Sequence, residues 1–189
     1  PSSWIERADA ILKGEIAEAD TAASTDYLPE EIRKSLEDPA LTETQRSIRY
    51  YNKALELEKS EPELTLKSTD RFKLLLDLYS KAADAAPMLR NDLKFAALHK
   101  RGLLHHRKGQ SNVPKSEQEI LMMAMQERSD PVKLLKRAKG SFQKALEIYK
   151  GAAPLKPADE ELSDNLALVY KNISRVQDYL DFLAAFQTA

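Results

Sequence analysis

The chain has 189 residues, 42% of them hydrophobic and 31% charged, with a net charge of −1, only 5 glycines and no cysteine. The missing cysteines exclude disulfides, thiolate metal sites and cysteine nucleophiles, and no stretch approaches the roughly 18 apolar residues a membrane span needs. A Gly-poor chain rich in Ala, Leu, Glu and Lys predicts helix throughout and essentially no sheet, because those residues lose least on entering a helix.

In chain order, Trp4, Ile5, Ala8, Ile11, Leu12, Ile16 and Ala19 recur at three-and-four spacing and predict a first helix over 3–22. Pro29-Glu30-Glu31 opens a short second helix that ends before Asp38-Pro39. Thr42 with Gln45 forms a capping box that starts a third helix running to about Lys59. Pro62 restarts the chain in a fourth helix that Pro87 stops, and a fifth runs from about Leu89 to Lys108, ended by Gly109. Residues 109–115 read as a loop. Ser116 and Glu119 form a second capping box, for a sixth helix to about Arg128. Asp130-Pro131 is an N-cap and first-turn proline for a long seventh helix that Pro154 and Pro157 break. Asp159 starts an eighth helix through Ile173, and a ninth covers 176–186.

The seventh and eighth helices carry Ala145-x3-Tyr149-x2-Ala152-x4-Pro157, followed by Leu166-Ala167-x2-Tyr170. This series resembles the tetratricopeptide repeat at the offsets that family uses, with Ser163 standing at its tryptophan position. Leu75-x3-Tyr79-x2-Ala82-x4-Pro87 keeps the same frame, and Tyr51-x2-Ala54 repeats part of it. Tyr51, Tyr79 and Tyr149 are 28 and 70 residues apart rather than 34, so the repeat lengths are irregular. The resemblance implies an all-α, right-handed α-solenoid of antiparallel helix hairpins, about nine helices in all, in which alanines admit a neighbouring helix and tyrosines fill the gaps. Residues 42–189 would form the repeat domain and residues 1–41 an N-terminal helical extension or cap.

That architecture implies a non-enzymatic protein–protein interaction module: an adaptor, co-chaperone or assembly factor that holds a peptide or helix in a concave groove. Charge offers a recognition surface. Residues 64–157 are net +10, while 1–63 and 158–189 are net −7 and −4. If the fifth and seventh helices are neighbours, Lys94, Lys100, Arg101, Arg107 and Lys108 join Lys133, Lys136, Arg137, Lys139 and Lys144 in one basic wall suited to an acidic partner. The bland alternative is that the segments neutralise one another. Candidate partner-binding residues are Arg101, His105, Lys136, Arg137, Asn165 and Lys171. The alternatives are a nucleic-acid- or anionic-membrane-surface-binding protein using the basic segment 94–144, or a structural subunit of a larger complex.

His99, His105 and His106 share one predicted helix but lack the i, i+4 spacing that puts two ligands on one face, so no metal is expected and the three are assigned to surface or groove. No Gly-rich phosphate loop or nucleophile–base pair points to catalysis or a cofactor. Ile120–Met125, apolar nearly all round, is expected to be buried on most sides. Asn172-Ile173-Ser174 matches a glycosylation acceptor but falls on a predicted helix. The sequence leaves the compartment open, with a soluble domain in the cytoplasm favoured over the alternatives, and a chain that opens on Pro1 leaves a removed leader or anchor open.

Overall fold

Side-chain caps set most of the helix starts. In the computed structural model of the chain, residues 28–126 and 130–188 are described, and among them eight α-helices, one 3₁₀ turn and no strand occur. The helices are α1 (Glu30–Leu36), α2 (Glu43–Ser60), α3 (Pro62–Lys67), α4 (Thr69–Ala85), α5 (Asn91–Ser111), α6 (Glu117–Met125), α7 (Pro131–Ala152) and α8 (Glu160–Thr188), with the 3₁₀ turn at Ala153–Leu155. The predicted helix over 3–22 lies outside the described residues.

The capping box of α2 is complete: Thr42 Oγ1 accepts from Gln45 N at 3.2 Å, and Gln45 Oε1 accepts from Thr42 N at 2.9 Å. At α6, Ser116 Oγ accepts from Glu119 N at 3.2 Å, but the Glu119 carboxylate reaches one residue further back, to Lys115 N at 2.6 Å. Asp130 Oδ1 caps α7 through Lys133 N at 3.0 Å, and Asp159 Oδ1 caps α8 through Leu162 N at 2.9 Å.

Three boundaries differ from the expectation. The fourth predicted helix breaks at Ser68, whose extended backbone and hydroxyl, accepting from Arg71 N at 3.3 Å, start α4 anew. Helix α5 runs past Gly109 to Ser111. The predicted eighth and ninth helices are one, α8, because Ile173 and Val176 continue a single buried stripe across the expected break and no Gly or Pro interrupts it.

The described residues fall into two compact units, residues 28–104 with 147–162, and 105–146 with 163–188. In the first, α2 and α4 are the principal helix pair. Their core holds Tyr50, Ala54, Leu75, Leu78, Tyr79 and Ala82, joined by Leu28 and by Leu36 of α1. Ser47 Oγ donates to Ala82 O at 2.7 Å, and the Tyr79 hydroxyl donates to Glu58 at 2.7 Å while its ring meets Tyr51 edge-on at 5.7 Å. The aromatic and small residues of the 75–82 frame are thus core, as the spacing predicts. The same unit places Tyr149 of α7 over Gly102 of α5: a Cβ on Gly102 would sit 2.4 Å from the Tyr149 ring.

In the second unit α5, α7 and α8 pack together. A Cβ on Gly109 would sit 2.6 Å from the Phe142 ring, and Lys139 Nζ of α7 donates to Gln177 Oε1 of α8 at 3.2 Å. Val169, Ile173, Val176 and Leu183 form the buried seam of α8. Leu166 and Tyr170 are only half-buried and Ala167 is exposed, so the seam runs one position away from the frame read in the sequence. Helix α6 also departs from expectation. Ile120 is fully buried, but Met122 is 62% and Met125 80% exposed, since a nine-residue helix here turns only one side inward.

Gly140, in the interior of α7, has nothing within 4 Å of where a Cβ would stand. Gly140→Ala is therefore expected to stabilise the chain by about 1 kcal/mol through helix propensity alone, read as a raised urea midpoint with an unchanged slope.

Candidate functional site

The buried stripe of α7 decides which of its many cations reach solvent. Leu135, Ala138, Phe142, Ala145 and Leu146 face inward, and Lys139, on that same side, is only 5% exposed and hydrogen-bonded to Gln177. The opposite side carries Lys133, Lys136, Arg137 and Lys144, all exposed. At 100° per residue these four lie within an arc of about 100°, and from first to last they span about 16 Å of helix. None of the four side chains has an ion-pair or hydrogen-bond partner among the described residues. Asp130, three residues before Lys133, is occupied by capping the Lys133 amide, and the exposed Glu147, three residues after Lys144, is the one carboxylate of α7 on the same side. Lys133, Lys136 and Arg137 line, with Asp130 and Val132, a hollow of about 470 Å³.

Of the candidates read from sequence, the structure brings Lys136 and Arg137 together and adds Lys133 and Lys144. Lys171 is exposed and Asn165 half-buried on α8. Arg101 belongs to the other unit and is half-buried, its guanidinium drawn below its usual pKa by burial, with Asp84 pulling the other way. His105 is buried and so turned from solvent. Of the ten cations read as one wall, four share the exposed face of α7 and Lys139 is buried; α5 meets α7 through Gly102 against Tyr149 in one unit and through Gly109 and His106 against Phe142 in the other.

The histidines are core residues, not surface or groove ones. His99 packs at 5.5 Å from the Phe95 ring and 5.9 Å from the Tyr149 ring, and burial lowers its pKa against the pull of Glu161 and Asp159. His106 is 3% exposed, meets Phe142 edge-on at 5.8 Å, and accepts at Nε2 from Asn172 Nδ2 at 3.0 Å. Burial first, and Arg107 second, depress its pKa to about 4, so at neutral pH it is uncharged, with its proton on Nδ1. Asn172, the acceptor of the glycosylation pattern, is half-buried in mid-helix and held by this bond. Among the described residues no group of three His, Asp or Glu side chains is placed to hold a metal ion, and no helix is long and apolar enough to cross a membrane.

A sequence-only projection could have found the histidines. Phe95, His99, Gly102, His106 and Gly109 follow at spacings of four, three, four and three, and all five are buried. No protein-family model, curated protein or solved structure matches the chain.

Proposed function

We propose that the chain is a non-enzymatic protein–protein interaction module, built of antiparallel helix hairpins of the tetratricopeptide kind, that takes an acidic helix or peptide against the exposed face of α7. The observation that carries this reading is the stripe of Lys133, Lys136, Arg137 and Lys144, exposed and without partners among the described residues. Cations left unneutralised along three turns of one helix complement acidic side chains at the same three-and-four spacing on a partner helix. The stripe suits protein better than single-stranded nucleic acid, because its aromatic neighbour Phe142 is fully buried and offers bases no stacking surface.

The test is fluorescence anisotropy with a short acidic helical peptide, a single-stranded RNA of similar charge and anionic vesicles. The peptide is expected to bind best. Replacing all four cations by Gln is expected to weaken it about thirtyfold, at ~0.5 kcal/mol for each exposed pair, with the circular dichroism unchanged. Tighter binding of RNA or vesicles, with steep salt dependence, would overturn the reading in favour of a polyanion surface.

A further inference from the structure

In the second unit, the C-terminal end of α5, the loop after it, α7 and α8 line an open pocket of about 280 Å³. Its apolar lining is Phe142, Pro114 and Val113, and its polar lining includes Arg175, Lys115 and Asn172. This places two cations and no carboxylate around an apolar floor.

Two of the polar groups are fixed before any ligand arrives. Arg175 lies against the Tyr179 ring at 5.3 Å, its Nε and Nη2 donating to the Tyr179 hydroxyl at 3.2 and 2.9 Å and Nη2 also to Lys115 O at 3.0 Å. Its Nη1 has no hydrogen-bond partner among the described residues. Asn172 is fixed through Nδ2 by the neutral His106, which leaves its Oδ1 available. The Lys115 ammonium has no partner among the described residues, and Glu119 is engaged with the Lys115 amide. A concave site with an apolar floor and a few pre-oriented polar groups at its edge is the general form of a small-molecule site.

We propose that this pocket binds a small organic acid: an apolar body about the size of one aromatic ring over the half-buried Val113, above a floor closed by the buried Pro114 and Phe142, and a carboxylate between Arg175 and Lys115. The volume lies just below the range of drug-sized ligands, which favours a single-ring acid. The site is separate from the cationic face of α7 and does not rest on the function proposed for it.

Titration of the full chain with 3-phenylpropanoate, followed by amide NMR, tests the assignment. Saturable shifts are expected at Val113, Lys115, Asn172 and Arg175. Lys115→Gln, which removes an exposed charge without a structural bond, is expected to weaken binding several-fold, and Lys115→Gln with Arg175→Gln about tenfold or more. Because Arg175 also ties down the loop, the single Lys115 variant decides the matter should the double variant lose structure. Equal binding of the neutral 3-phenylpropanol, equal binding of inorganic phosphate alone, or indifference to Lys115→Gln would each overturn the proposal.

Discussion

Tyr149→Ala is expected to destabilise the chain by about 3–5 kcal/mol, and the same substitution is expected to make Gly102→Ala harmless. Tyr149 is fully buried, its ring edge-on to His99 at 5.9 Å and lying in the notch that Gly102 leaves in α5. Removing the ring leaves a cavity bounded by a glycine, which has no side chain to relax into it. In the native background a Cβ on Gly102 would stand 2.4 and 2.6 Å from two ring carbons of Tyr149, a clash only a shift of the ring or of α5 could relieve. Gly102→Ala alone should therefore cost about 1–3 kcal/mol by overpacking, although alanine is the better helix former. With the ring gone, the added methyl fills part of the cavity and helix propensity acts unopposed. The double variant should then be at least as stable as Tyr149→Ala. A double-mutant cycle by urea denaturation measures this directly, with a coupling of about 1–3 kcal/mol expected. Additive losses would show that Tyr149 does not occupy the notch.

The same contact shows what the sequence could and could not disclose. Small residues facing aromatics were readable from Ala145, Tyr149 and Ala152, because a three-and-four stripe needs only one helix to be seen, and all three are fully buried. The small residue that receives Tyr149 is on another helix, Gly102, and which glycine faces which ring depends on pairing that local pattern does not encode. Caps were legible at Thr42, Ser116, Asp130 and Asp159 because a cap joins residues within one turn. The break at Ser68 escaped because serine is tolerated both inside a helix and at its start. In the candidate site, the exposure of Lys136 and Arg137 agrees with a charged stripe opposite an apolar one. The inward turn of Lys139 was also readable, one position from Ala138 and three from Phe142. Counting its charge without projecting it onto the helix inflated the expected wall.

His106 should make the chain lose stability in mild acid. Folded, its pKa is held at about 4, mainly by burial beside Phe142; unfolded, it returns to the ordinary value of 6.5. Between those values the unfolded chain binds a proton that the folded chain refuses, so stability falls as pH drops through 6.5 and the loss levels off near pH 4. The gap corresponds to roughly 3 kcal/mol, a large share of the 5–15 kcal/mol that holds a typical domain together. His99, also lowered by burial, acts in the same direction. The largest carboxylate shift among the described residues cannot imitate this, because Asp92, lowered from 3.8 to about 2 chiefly by its hydrogen bond to Arg90, loses its contribution as the pH falls between those two values. Urea unfolding from pH 7 to 4.5 should thus show a falling midpoint, and the His106 C2–H resonance should not titrate above pH 5. His106→Gln keeps an acceptor within reach of Asn172 but cannot be protonated. It is expected to cost about 1 kcal/mol at pH 7 for the lost ring contact and to flatten the acid dependence, so that variant and native stabilities converge or cross near pH 5. An unchanged slope in that variant would place the acid sensitivity elsewhere and show that the neutral ring does not anchor Asn172.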